Sequence, residues 1–312
     1  MRERIGFIGA GLMGHGVARN ILETGYPLAV LAHRNRGPVD DLIARGATEA
    51  ASAAELARTS DILFTCVSDS AVLDRVVYAE DGVLADAHEG LVLVDLTTAD
   101  PAATRRVAAD LAVKGVRMLD APMTLTPKEA EEGTLNLLVG GDAALLEQVR
   151  PVLATFTARI FHTGPLGSAH TLKLVNNFLS QGTNALVIEA ITAALKAGVD
   201  PVMMRDVISV SGGNSTSFQR LIRFVTDEAP GGGGAFSIRN ALKDVDYFVK
   251  LAEAEGASNA LGEAVRRFYR LAVALGYGDA MIPRLFEVQE RLGAPAASTD
   301  PAARRTTVAG SE

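Results

Sequence analysis

Six residues near the N-terminus, Gly9-Ala10-Gly11-Leu12-Met13-Gly14, constrain this chain more than any other stretch. They fit G-x-G-x-x-G, which is weak in isolation and becomes specific between a strand and a helix. Here the apolar run Ile5–Ile8 precedes the pattern and a helical run, Met13–Thr24, follows it. Gly9 then allows a tight turn, Gly11 lets a pyrophosphate approach the backbone, and Gly14 lets helix and strand pack closely. The helix N-terminus adds free N–H groups and a positive dipole end. The motif predicts a dinucleotide-binding β–α–β unit with Gly9, Gly11, Leu12, Met13 and Gly14 at the phosphates.

The residues that follow keep the alternation. Strands are predicted at Leu28–Leu31, Ile62–Val67, Leu91–Leu96, Val116–Leu119, Thr134–Val139 and Ile160–His162. Helices are predicted at Pro38–Arg45, Val72–Val77, Pro101–Lys114 and Leu145–Phe156. Such alternation implies an α/β fold, a doubly wound and mainly parallel Rossmann sheet. The second half loses the strand signal. A long helix is predicted over Leu172–Ala197, with shorter ones at Pro201–Val210, Ser217–Thr226, Ile238–Glu255, Leu261–Leu275 and Met281–Arg291. The breakers Gly164-Pro165 set the boundary. The expected organisation is a Rossmann domain over 1–163, an all-α domain over 164–293 and a disordered tail over 294–312, with a flexible loop at Pro230–Gly234.

Composition excludes several classes. The net charge of −7 over 312 residues offers no electrostatic reason to seek nucleic acid or anionic membrane. No apolar stretch is long enough to span a bilayer. The single cysteine, Cys66, sits in an apolar run and reads as a core residue. The start runs straight into a strand pattern without a signal-peptide h-region, so a cytoplasmic setting is expected. His15, His33, His88, His162 and His170 form no metal-ligand spacing, and no metal is expected.

The end of the second strand bears on cofactor choice. An NAD enzyme usually places Asp or Glu there for the ribose 2′-hydroxyl. This chain reads Ala32-His33-Arg34-Asn35-Arg36, with no acid until Asp40. Arginine can pair with a 2′-phosphate. NADP is therefore expected over NAD, with His33 and Arg34 as contacts. At the domain boundary, Lys173 shares a helical face with Asn176 and Asn177. A protonated Lys173 could donate its proton as hydride reaches a carbonyl carbon.

Four motifs in order make the chain resemble the β-hydroxyacid dehydrogenases from residue 1 to about 293. They are the glycine loop continued through Gly16 to Asn20; Asp120-Ala121-Pro122-Met123-Thr124 with Gly133-Thr134-Leu135 and Val139-Gly140-Gly141; the Lys173 segment; and Lys243-Asp244 preceded by Phe236. The resemblance implies an NAD(P)-dependent oxidoreductase acting on a short hydroxy acid or semialdehyde, assembled as a homodimer or higher homo-oligomer. It implies Lys173 as the acid/base, with Asn177 and Thr124 holding the substrate. It places Val67 and Ser68 beside the adenosine and Thr98 beside the nicotinamide ribose. It has Lys243 reaching the cofactor, with Asp244 and Phe236 supporting that wall. One departure bears on substrate: the family's Ser-Gly-Gly is Thr124-Leu125-Thr126 here, followed by Pro127. Leu125 and Thr126 lose the easy positive φ that a glycine anion nest uses, so the acid-binding loop is expected to be shaped differently. Lys128 reads as a solvated helix lysine.

Three other readings share parts of this pattern. Imine reductases have the fold and glycine loop but carry another residue for the lysine. 6-Phosphogluconate dehydrogenase carries His where Asn176 stands and is much longer. A non-catalytic NADPH-binding assembly module lacks the lysine. Lys173 argues against the first and third readings, and Asn176 and the chain length against the second.

Overall fold

The computed structural model describes residues 2–228 and 236–293. The predicted loop at Pro230–Gly234 and the predicted tail lie outside the described residues. The first half runs β1 (Ile5–Ile8), α1 (Gly14–Glu23), β2 (Leu28–Leu31), α2 (Gly37–Ala44), β3 (Thr48–Ala50), α3 (Ala53–Thr59) and β4 (Ile62–Thr65). It continues with α4 (Ser70–Tyr78), α5 (Val83–Asp86), β5 (Val92–Asp95), α6 (Pro101–Ala112), β6 (Arg117–Asp120), β7 (Met123–Thr124), α7 (Pro127–Glu132), β8 (Leu135–Gly140), α8 (Ala143–Leu153) and β9 (Thr157–Gly164). The described residues beyond are helical: α9 (Ser168–Lys196), α10 (Pro201–Ser209), α11 (Thr216–Val225), α12 (Ile238–Ala254), α13 (Ala260–Ala272) and α14 (Leu285–Gly293). This is the α/β fold with an appended helical domain that the sequence predicts.

The sheet order β3-β2-β1-β4-β5-β6 is that of a doubly wound dinucleotide fold, and every pair within it is parallel. β8 reverses direction and pairs antiparallel with β6 and β7 in a single register, so Ala121-Pro122 merely interrupts one edge. β9 then runs parallel to β8. The central strands β1, β4 and β5 are buried throughout, as both faces of a parallel sheet require. Their side chains alternate between two cores. Phe7, Phe64 and Val94 enter one, while Ile8, Leu63 and Leu93 enter the other. Phe64 stacks on Phe7 at 6.0 Å and meets the edge of Phe156 at 6.1 Å. Each such side chain contributes roughly 1.5–3 kcal/mol of burial.

Packing divides the chain into two compact units. One comprises residues through Gln181 together with Asn240–Arg266; the other takes up Gly182–Arg239 and the chain from Arg267 on. The expected boundary at 163/164 therefore differs from the packing. The first half of α9 and most of α12 group with the sheet, and within that unit Phe178 of α9 and Phe248 of α12 stack at 3.9 Å. In the second unit, Phe224 of α11 stacks on Phe286 of α14, and Ser215 caps α11 through the Phe218 N–H. α9 is less buried than its apolar sequence suggests: Leu172, Leu179 and Leu186 are 45%, 63% and 70% exposed, at heptad spacing.

Candidate active site

The C-terminal ends of β1, β2 and β4 open onto a cleft of about 880 Å³ within the first unit. That volume lies in the range of small-molecule and cofactor sites. Gly9, Gly11, His33, Arg34, Val67 and Ser68 all line it. The glycine backbone is tightly confined at two positions and open at a third. Gly9 takes φ +102°, and a Cβ there would lie 2.2 Å from the Cys66 carbonyl oxygen. A Cβ on Gly14 would lie 2.1 Å from the Gly9 carbonyl oxygen. Gly11 faces open space, which leaves its backbone free to meet a phosphate. Leu12 is exposed, and Met13, Thr98 and Lys243 are set back from the cleft wall. Cys66 packs against the core as the sequence suggests, while its partly exposed side borders the cleft, and burial with the nearby Asp95 carboxylate pushes its thiol up to about 12.

The two arginines after β2 differ. Arg36 is held by Glu49 at 2.9 Å and Asp40 at 3.1 Å, and those hydrogen bonds raise its pKa. Arg34 is exposed on the cleft rim with no ion pair among the described residues.

A second cluster joins α9 to α12. Lys243 donates to the carbonyl oxygens of Ser68 and Thr98, each at 2.9 Å, and lies 3.2 Å from Asp244 Oδ1. It thus braces the loops after β4 and β5. Tyr247 adds to the brace by accepting from the Ser70 N–H at 3.1 Å. Asp244 is buried and accepts from Asn177 Nδ2 at 2.6 Å, while Asn177 Oδ1 accepts from Asn176 at 3.1 Å. Lys173 has no hydrogen bond or ion pair among the described residues. Burial holds its ammonium below the usual lysine value; Asp244 opposes that shift and Lys243 adds to it. A desolvated cation in a polar cluster is a candidate proton-handling group. Phe236 belongs to the second unit, where its carbonyl accepts from the Ile282 N–H.

The loop between β7 and α7 corrects one expectation. Leu125 does adopt the left-handed region, at φ +82°, although it carries a Cβ and is 52% exposed. Thr126 is extended and commits its N–H to Glu129 at 2.9 Å in a capping box with Pro127 at the first turn. α7 in turn docks on α1. Gly16 allows the approach, and His15 bridges Glu131 at 2.8 Å and Asp41 at 2.9 Å. The loop is thus strained at one residue and anchored at the next. Lys128 is exposed and lies 3.7 Å from Glu132. Leu125→Gly should remove roughly 1–2 kcal/mol of strain, offset by roughly 0.5–1 kcal/mol of added backbone entropy. A small net gain is expected in denaturant unfolding, and a clear loss would mean that packing holds the leucine.

Two residues of the segment that ends in Thr98 have a role that the sequence did not assign. Asp95 Oδ1 accepts from the Thr65 hydroxyl at 2.8 Å and the Thr97 N–H at 3.1 Å. The Thr97 hydroxyl accepts from the Val67 N–H at 3.2 Å. Together they hold the loops after β4 and β5 to each other. Their signal was the Asp95-Leu96-Thr97 turn at a strand end. No cluster of His, Cys, Asp and Glu able to hold a metal occurs among the described residues, and none of their helices is long and apolar enough to cross a membrane.

Residues 4–164 match the family described as the NAD binding domain of 6-phosphogluconate dehydrogenase. Residues 167–286 match that described as the NAD-binding domain of NADP-dependent 3-hydroxyisobutyrate dehydrogenase. The chain is 32% identical to 3-sulfolactaldehyde reductase of Escherichia coli over 88% of its own length and 91% of the relative's. It superimposes on Mycobacterium tuberculosis 3-hydroxyisobutyrate dehydrogenase with L-serine at a TM-score of 0.82 and 25% identity, covering 94% of this chain and 100% of that one. An imine reductase from Myxococcus stipitatus shares the fold at a TM-score of 0.62 and 24% identity, over 92% and 99% of the two chains.

Proposed function

This chain belongs to the β-hydroxyacid dehydrogenases, NAD(P)-dependent oxidoreductases, and from that premise we propose that it reduces a short semialdehyde, or oxidises the matching hydroxy acid, with Lys173 as the acid/base. The observation that carries the reading is the unpaired, desolvated ammonium of Lys173 beside Asp244 and Lys243. The nicotinamide, when bound, supplies or takes up the hydride. Lys173 gives its proton to the carbonyl oxygen in reduction and takes it back in oxidation. Asp244 holds the Asn177 amide in place, so that its second N–H can orient the substrate oxygen. Thr124 offers a hydroxyl beside the anchored loop. Gly9, Gly11 and the first turn of α1, with Leu12, Met13 and Gly14, cradle the pyrophosphate. Val67 and Ser68 border the adenosine and Thr98 the ribose, while Lys243 keeps these loops in place.

The free Arg34 favours NADP, with His33 beside it. Arg36, already held by two carboxylates, is poorly placed to help. A charged hydrogen bond is worth about 1.5–3 kcal/mol, so Arg34→Ala should cut the NADPH-over-NADH ratio of kcat/KM about tenfold or more. Steady-state kinetics with both cofactors read this out, and an unchanged ratio would remove Arg34 from the contact set.

The substrate class rests on relatives that act on 3-sulfolactaldehyde and 3-hydroxyisobutyrate. A panel of semialdehydes and 3-hydroxy acids tests it; NADPH binding without turnover on any of them would favour an assembly module. The exposed leucine stripe of α9 supports a homodimer, and the family setting a cytoplasmic enzyme; the family match over 167–286 supports a second sequence domain from near 164, although by packing the first half of α9 groups with the sheet.

A further inference from the structure

One helical turn before Lys173, α9 carries a second buried titratable group. His170, Asp95 and Asp120 are all fully buried. Asp120 fastens the start of α9 to β6: its carboxylate accepts from the Gly167 N–H at 2.7 Å and the His170 N–H at 2.8 Å. The ring of His170 reaches further. Its Nδ1 lies 2.7 Å from the Thr104 hydroxyl of α6 and 3.9 Å from Asp120. Its Nε2 lies 3.9 Å from Asp95 Oδ2 at the end of β5. Neither that Nε2 nor that Oδ2 has a hydrogen-bond partner, although both are buried. Two orphaned buried polar atoms are costly, and here they face one another.

The hydrogen-bond directions decide where the proton sits. The Thr104 hydroxyl also lies 3.2 Å from the Asp100 carbonyl oxygen. If it donates there, it accepts from Nδ1–H, and a bare Nε2 would oppose the lone pairs of the carboxylate. A proton on Nε2 or on Oδ2 removes that conflict. If the hydroxyl instead donates to Nδ1, the ring proton is already on Nε2. Both arrangements put a proton on the Nε2···Oδ2 line. Burial raises the Asp95 pKa, with His170 opposing, which helps keep a proton there.

Asp95 is the residue that also holds Thr65 and Thr97, and through Thr97 the Val67 of the cofactor cleft. We propose that His170 is a positioning residue: with its ring hydrogen-bonded to Thr104 and set 3.9 Å from Asp95, beyond direct hydrogen-bond length, it keeps the helix that carries Lys173 in register with the two loops bordering the cofactor. This rests on the dehydrogenase reading. A tie of this kind matters because small errors of alignment between hydride, carbonyl and proton donor lower the rate steeply.

The test compares His170→Phe, which removes both ring nitrogens, with His170→Gln, which keeps an N–H for Asp95. The phenylalanine variant should lose about tenfold to a hundredfold in kcat, with its NADPH Kd, from fluorescence titration, within about twofold of wild type. The glutamine variant should regain most of that rate. Proton NMR of the whole wild-type protein, with the imidazole nitrogens assigned by nitrogen labelling, should show a slowly exchanging N–H on His170 Nε2 that both variants lack. A folded phenylalanine variant with wild-type kcat, equal losses in kcat and NADPH binding, or a glutamine variant as slow as phenylalanine would each overturn the positioning role. Should the phenylalanine variant fail to fold, the N–H signal decides, and its absence from wild type overturns the tie. The signal needs no turnover. Its presence in a protein that turns over no hydroxy acid or semialdehyde would sink the dehydrogenase reading and leave the tie standing.

Discussion

Replacing Lys173 with alanine is expected to lower kcat by about 10²–10⁴-fold while NADPH still binds with a Kd near that of wild type. The asymmetry follows from the site. Lys173 is not among the residues that line the dinucleotide cleft, and its ammonium makes no hydrogen bond or ion pair among the described residues that its loss would break. Its desolvated ammonium sits beside Asp244 and Lys243, where removing it eliminates the proton donor and leaves the braces of Lys243 to Ser68 and Thr98 intact. The pH profile provides an independent check. Burial lowers the Lys173 pKa, so the ammonium is lost at a lower pH than for an ordinary lysine. Reduction needs the charged form, and its rate should fall as pH rises through that lowered value. Oxidation needs the free amine, and its rate should rise through the same value. Lys173→Arg holds its charge across the range and should abolish the oxidation limb more completely than the reduction limb. Steady-state kinetics in both directions, with cofactor binding measured separately, read all of this. Wild-type turnover in Lys173→Ala, or parallel loss of turnover and NADPH binding, would end the acid/base assignment.

The sequence made some of this visible and hid the rest for physical reasons. β1 and β2 are read to the residue because buried parallel strands are short apolar runs bounded by glycine and proline. β3, α3, α5, β7 and α7 escaped, each being seven residues or fewer, too short for periodicity to register. Two of them nonetheless carried a capping signal, Ser52 with Glu55 and Thr126 with Glu129. The glycine loop and Lys173 were legible because their chemistry is local. What Lys243 does was not: its bonds to Ser68 and Thr98 depend on α12 folding back onto the sheet, far along the chain. Leu125 misled for a related reason. Residue type alone predicted that the glycine-like backbone was lost, yet Leu125 adopts it at φ +82°, just ahead of an α7 that is docked on α1 at His15 and Gly16. The contact of Asp95 with His170 likewise exists only once α9 lies across the ends of β5 and β6.

Gly9→Ala should damage cofactor binding and stability together, whereas Gly11→Ala should damage binding alone. At Gly9 the backbone has φ +102°, a conformation that costs an L-residue roughly 1–2 kcal/mol. The added Cβ would also overlap the Cys66 carbonyl oxygen at 2.2 Å. That carbonyl cannot simply retreat, because the Cys66 N–H is hydrogen-bonded to the Ile8 carbonyl at 2.8 Å and β1 pairs with β4 through Ile8 and Thr65. Relief must come from separating two central strands or from swinging the loop away from the cleft. The first lowers the unfolding temperature by several degrees, and the second weakens NADPH binding by about a hundredfold, near 2.7 kcal/mol. Gly11 is different. Nothing lies within 4 Å of a Cβ built there, so the alanine fits the free protein without strain. Its methyl would stand where the pyrophosphate must approach. Its expected signature is an unchanged melting curve with a NADPH Kd raised about tenfold or more. Thermal unfolding and fluorescence titration on the two variants separate these outcomes. A Gly9→Ala protein with wild-type stability and affinity would show that the loop is neither tightly packed nor at the phosphates. Equal destabilisation by both substitutions would show that Gly11 serves the fold rather than the cofactor.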